Sequence, residues 1–193
     1  FDAYDRTGIF DLHLQKAIIY YWFEEYEQAI EATTFAHDFI DGATSLMYVP
    51  LFYFYDSLGN LAIINTLAKP EQKKVLKQVT ANQEKMKTWT KYAPMNYKHK
   101  YILVEAEYAK ATSKELLAMK YYDQAIKLAG ENEYTQEEAL AYELAARFFI
   151  ENGREKVAKN YIKEAYLRYK KWGAKAKARS EERRVGKECA TGC

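Results

Sequence analysis

The chain has 193 residues, a formal net charge of +2, 49% hydrophobic residues, 3 Pro and 8 Gly. It is long enough to bury a core, too apolar for a disordered segment and poor in residues that break helices. Residues 174–193 hold six Lys/Arg against three Glu, which leaves 1–173 at −1 and without the electrostatic footprint of a nucleic-acid binder or a one-signed membrane face.

Eight helices are expected, paired as four hairpins. The first spans about 8–23 and the second about 25–40, ending at Asp41-Gly42, where Gly42 suits a left-handed cap. The third covers about 45–67 and contains the longest apolar run, Met47 to Tyr55, too short to cross a bilayer and interrupted by Asp56, Gly59 and Asn60. The fourth spans about 70–91, with Pro70 in its first turn, where a missing N–H costs nothing. The fifth covers about 95–112 and the sixth about 114–129, preceded by Thr112-Ser113-Lys114-Glu115, which reads as a capping box. The seventh spans about 135–151, with an acidic start at Glu137-Glu138, and the eighth about 154–171, ending at Gly173. Apolar residues three and four apart, such as Ala118, Tyr122, Ala125 and Leu128, support helices, and strand-type alternation is missing.

Three alanine triplets fit one template: Ala17, Ala29 and Ala36; Ala106, Ala118 and Ala125; Ala146, Ala158 and Ala165. In each, the spacings are 12 and then 7, with a larger residue between the last two, Thr33, Tyr122 or Ile162. Small residues at this spacing are the skeleton of a tetratricopeptide-type hairpin, one in the first helix and two in the second, where the helices touch most closely. The expectation is an all-α fold, a tetratricopeptide-like right-handed superhelix of about four hairpins over 1–178. The second and third triplets lie 40 residues apart, against about 34 in the standard repeat, and the extra length is assigned to the loop Glu131 to Tyr134. The hairpin at 44–91 lacks the triplet, so its helices should sit further apart or at another angle.

Residues that would do chemistry are not found. There is no phosphate-cradling glycine loop and no kinase catalytic-loop or metal-binding signature. His13, His37 and His99 are far apart, and none has a second His or Cys at metal-ligand spacing, so structural or solvated roles are expected. His37-Asp38-Phe39-Ile40-Asp41-Gly42 loosely resembles a phosphotransfer histidine, but Asp41 stands where Lys is usual, Gly42 is one position late, and a nearby acid repels a phosphoryl group. Consecutive pairs such as Glu137-Glu138 point about 100° apart on a helix, so they read as solvated or N-terminal acids. Lys98-His99-Lys100 reads as a solvated helix start. No cofactor is expected.

What remains is a groove. Aligned on the alanines, Lys100, Glu107 and Lys110 of one repeat and Glu143 and Arg147 of the next fall at inner-surface positions, where they can clamp a peptide carboxylate or backbone. The alternative is that these groups pair with one another. The 18 tyrosines read as half-polar groove fillers with wet hydroxyls, with base stacking as the other reading.

The stretch Lys91-Tyr92-Ala93-Pro94-Met95-Asn96-Tyr97-Lys98-His99-Lys100-Tyr101, together with Leu103-Val104-Glu105-Ala106-Glu107, Glu137 to Ala146 and Tyr169 to Lys177, resembles the helical-repeat region of very large bacterial signalling proteins. Those proteins carry a serine/threonine kinase domain, an AAA-type or STAND-type ATPase, this helical segment, a GAF sensor and a histidine kinase. The resemblance covers roughly 10–178 and implies a cytoplasmic, non-catalytic interaction and regulatory module. Its partners would be a protein, a peptide or the neighbouring domains of its parent. Two alternatives are kept: a segment that completes kinase or phosphorelay activity of the parent, and an RNA-binding helical repeat.

From about Arg179 the helical apolar stripe is lost, and 179–193 is expected to be a disordered tail that resembles translated adapter or vector read-through. Cys189 and Cys193 fall in it, so the body has no disulfide framework and a reducing compartment is expected. A start at Phe1 without Met is taken as the mark of a fragment.

Overall fold

The computed structural model describes residues 5–44 and 46–190, with side chains as far as Arg183. The expectations placed on Phe1, on Cys193 and on the Cys189 side chain lie outside the described residues. Every element found is helical, and the chain divides into two compact units, 1–92 and 93–193. Among the described residues no helix is long and apolar enough to cross a membrane.

The first unit holds α1 (Arg6–Trp22), α2 (Tyr26–His37), α3 (Val49–Ala62) and α4 (Lys69–Tyr92). Asp5 caps α1 by accepting the Gly8 N–H at 2.9 Å. The α1 face of Phe10, Leu14, Ala17 and Tyr21, spaced three and four apart, is buried. α3 is buried around nearly its whole circumference, from Val49 to Leu61, while α4 buries only a stripe of Val75, Val79, Asn82, Gln83 and Met86. Helix α3 is shorter than the 45–67 expected, because the chain tightens into a 3-10 turn at Ile64–Thr66.

Gly42 is not a left-handed cap. It lies in a 3-10 turn, Ile40–Ala43, without positive φ. A glycine is required there because α1 comes so close: an added Cβ would sit 2.7 Å from Arg6 Cβ and 3.1 Å from Thr7 N. Thr7 Oγ1 donates to Gly42 O at 2.6 Å, and Arg6 pairs with Asp41 across the same contact.

The second unit holds α5 (Pro94–Ala111), α6 (Glu115–Glu131), α7 (Thr135–Glu151), α8 (Glu155–Trp172) and α9 (Lys175–Ala190). One turn geometry joins the helices here and between α1 and α2. Each three-residue turn has a left-handed residue at its centre: Glu24, Ser113, Glu133 and Gly153. The third residue then donates its N–H to the carbonyl five positions back, the helix-ending bond of a Schellman motif. These bonds are Glu25 to Tyr20 at 2.9 Å, Lys114 to Ala109 at 2.8 Å, Tyr134 to Ala129 at 2.9 Å and Arg154 to Phe149 at 2.8 Å. Gly173, also left-handed, ends α8 in the same way, with Ala174 donating to Tyr169 at 3.0 Å.

This corrects two sequence expectations. Thr112 is not an N-cap for α6; its hydroxyl donates back to Tyr108 O at 2.9 Å and closes α5. The loop between α6 and α7 is no longer than the others, and the extra length of the 40-residue repeat lies in helices of 17 and 18 residues.

All nine template alanines are buried, at 2% exposure or less. Thr33, Tyr122 and Ile162, between the paired alanines, are buried as well. In the hairpin that lacks the triplet, α4 buries the larger Asn82, Gln83 and Met86, and Asn82 bonds to Asp56 and Ser57 of the aromatic-rich α3.

The chain does not leave helical structure at Arg179. Helix α9 continues to Ala190, with Lys177, Ala178 and Glu181 buried. The sequence showed no apolar stripe because much of what α9 buries at its start is charged.

Candidate binding sites

The five groove candidates are largely internal. Lys100, Glu107 and Glu143 are buried, and Lys110 and Arg147 keep about a fifth of their side chains exposed, at 21% and 22%. They form three networks that tie helices of the second unit together, the second and third linked by the nearby charges of Lys110 and Arg147.

The first network centres on Lys100 of α5. Its Nζ lies 2.9 Å from Glu137 Oε1 of α7, 2.9 Å from His99 Nε2 and 4.1 Å above the Tyr134 ring. An ammonium only donates, so His99 Nε2 accepts and the ring proton sits on Nδ1. Burial and the adjacent Lys100 charge lower the His99 imidazole to about 3. Burial also pushes the Lys100 ammonium down, against the pull of Glu137. Of the Lys98-His99-Lys100 run only Lys98 is exposed; His99 and Lys100 are not solvated, because Glu137 and Tyr134, far along the chain, pack against them. Glu137 and Glu138 are first-turn acids of α7, one of the two readings offered, but both are buried rather than solvated, and Glu138 pairs with Arg168 at 2.8 Å.

The second network joins α5, α6 and α7. Tyr122 Oη donates to Glu107 Oε1 at 2.5 Å, and Lys110 Nζ lies 3.0 Å from Glu151 and 4.0 Å from Glu107. The third joins α7, α8 and α9. Glu143 accepts from Arg147, from the Tyr169 hydroxyl and from Lys177 Nζ, the last at 2.9 Å. Burial alone would raise the Glu143 carboxyl, but Arg147 and Lys177 outweigh it and hold it down at about 2. Tyr122 and Tyr169 are wholly buried, so these two tyrosines do not fill grooves with wet hydroxyls; theirs are spent on carboxylates.

A pocket that the sequence reading missed lies in the first unit, between α2, α3 and α4. It encloses about 330 Å³ and is lined by Thr33, His37, Phe52, Tyr53, Asp56, Gln78, Asn82 and Lys85 among others. Buried Asp56 is its polar centre. Oδ1 accepts from Thr33 Oγ1 at 3.0 Å and Asn60 Nδ2 at 3.3 Å; Oδ2 accepts from Gln78 Nε2 at 2.9 Å and Asn82 Nδ2 at 2.7 Å. Asn82 also donates to Ser57 Oγ at 3.1 Å. Lys85 Nζ donates to Tyr53 Oη at 2.8 Å and sits 4.4 Å over the Tyr53 ring. The signal was present: Asp56, Ser57 and Asn60 are polar residues inside the most apolar helix of the chain.

The remaining histidines occupy aromatic contacts. His13 packs on Phe35 in a tilted arrangement with centroids 4.1 Å apart, and His37 lies 6.1 Å from Phe52. Among the described residues no group of three or more His, Cys, Asp or Glu is arranged to hold a metal ion. Compared with known protein families the chain matches none, and no curated protein matches it.

Proposed function

We propose that this chain is a non-catalytic protein–protein interaction and regulatory module built as a right-handed, tetratricopeptide-like superhelix. The observation that carries the reading is the burial of all nine template alanines at helix contacts, joined by one recurring turn. Repeats of this kind present surfaces rather than catalytic constellations. The resemblance of 10–178 to the helical segment of bacterial multidomain kinases supports a place between an ATPase and a GAF–histidine kinase region, in the cytoplasm. Partner contact falls to groups that keep solvent exposure, Lys110 and Arg147 among the charged candidates and Leu116 among the apolar ones.

The test is affinity capture by the full chain beside a Lys110→Glu variant, with ATP turnover measured on the same preparations. The expected result is a protein retained by the parent chain and released by the variant, with no phosphate release. ATP hydrolysis or phosphoryl transfer by the purified chain overturns the reading.

A further inference from the structure

We propose that the Asp56 pocket binds an organic cation, an alkylammonium or guanidinium group, with Asp56 as its counter-ion. This stands apart from the partner-binding reading, which rests on the second unit.

The Asp56 carboxyl group is hydrogen-bonded but makes no ion pair. All four of its side-chain hydrogen bonds come from neutral donors, a hydroxyl and three amides. Among the described residues no Lys, Arg or His makes an ion pair with it. A buried charge is costly even when hydrogen-bonded, and a neutral amide could clip three helices together without that cost. The negative field of Asp56 therefore stays directed into the pocket, where low dielectric strengthens its hold on a cation.

The walls suit the same ligand. Phe52, Tyr53 and His37 supply rings, and ring faces attract cations. Lys85 already illustrates the chemistry, with its ammonium over the Tyr53 ring and on the Tyr53 hydroxyl. About 330 Å³ falls within the range of small-molecule sites. Gln78 is exposed and is the donor that an arriving ammonium would replace, while Thr33 and Asn82 hold the carboxylate in place. Two sources carry this chemistry: a free amine or guanidine, and a Lys or Arg side chain of a peptide.

The experiment titrates the full chain by calorimetry with putrescine, amino-capped and carboxyl-capped arginine and a capped Gly-Arg-Gly peptide, with 1,4-butanediol, equally capped citrulline and its capped peptide as their neutral controls. The expected result is saturable binding of at least one cationic probe and at least tenfold weaker binding of its neutral control. Binding of the free probes assigns a small-molecule ligand; binding of the peptide alone assigns a partner side chain. Asp56→Asn should weaken binding at least tenfold. Should that variant fold poorly, Gln78→Lys supplies a tethered ammonium instead, and should abolish binding while raising the melting temperature. Absence of binding by every cationic probe at millimolar concentration, or unchanged binding in a folded variant of either kind, overturns the proposal.

Discussion

Lys177 Nζ of α9 lies 2.9 Å from Glu143 Oε1 of α7, and both side chains are buried. Removing one partner of a buried pair strands the other, at a cost of about 3–5 kcal/mol. Lys177→Ala leaves Glu143 with Arg147 and Tyr169, so the lower end, about 3 kcal/mol, is expected by urea denaturation. Glu143→Ala strands Lys177 together with Arg147 and the Tyr169 hydroxyl, and should cost more. If Lys177→Ala were neutral, the docking of α9 through this pair would be wrong.

A separate expectation concerns acid. The folded His99 imidazole protonates only near pH 3, whereas the unfolded residue does so near 6.5. Between those values the unfolded state binds more protons, so stability falls as pH falls, by up to about 1.4 kcal/mol per unit. Glu143, whose carboxyl is depressed, contributes stability that is complete above about 4.5 and lost only toward pH 2. The two windows overlap between about pH 4.5 and 3, and of the two groups only His99 acts above that range. His99→Gln should flatten the loss between pH 6.5 and 5, measured by chemical denaturation at stepped pH, and keep the Glu143 part of the loss below 4.5. An unchanged slope in the upper window would remove His99 as its cause.

The alanine template makes its own demand. Ala118 and Ala158 have no exposed surface. Leucine at either site should overpack a helix crossing and cost about 1–3 kcal/mol. Thermal unfolding of both variants checks this, and tolerance of both would undermine the template.

The left-handed turn centres are not equal. Gly153 has open space where a Cβ would go, so Gly153→Ala tests backbone conformation alone and should cost about 1 kcal/mol. Ser113 holds the same conformation with a side chain, at φ 56°. Ser113→Gly should stabilise by about 0.5–1 kcal/mol, the relief of strain less the entropy of a freer unfolded chain. Opposite signs in paired melting curves are the expected outcome.

Helices α1 to α8 and their order were legible because they rest on local patterns: periodic apolar residues, prolines in first turns and alanines at crossings; α9, whose buried face is partly charged, was not. The turns were less so. Glycine marks the left-handed position only at 153 and 173, whereas Glu24, Ser113 and Glu133 adopt it without announcing it. The pairing of the groove candidates was hard to read for a different reason. Lys100, Glu107 and Glu143 look like surface residues until Glu137, Tyr122 and Lys177 arrive from distant parts of the chain to cover them. The Asp56 pocket needed α2, α3 and α4 at once, and nothing in the spacing of Thr33, Gln78 and Asn82 declares that they meet.

Helix α7 buries eleven of its seventeen residues and sends one carboxylate to α5 and another to α9. A helix so enclosed has little face to offer a visitor. Its amides should exchange with solvent more slowly than those of its neighbours, as the keel of the second unit. On the proposed partner-binding reading, a change of partner falls on the open sides of α6 and α8, at Leu116, Val157 or Leu167, and on α7 only at the part-exposed Arg147.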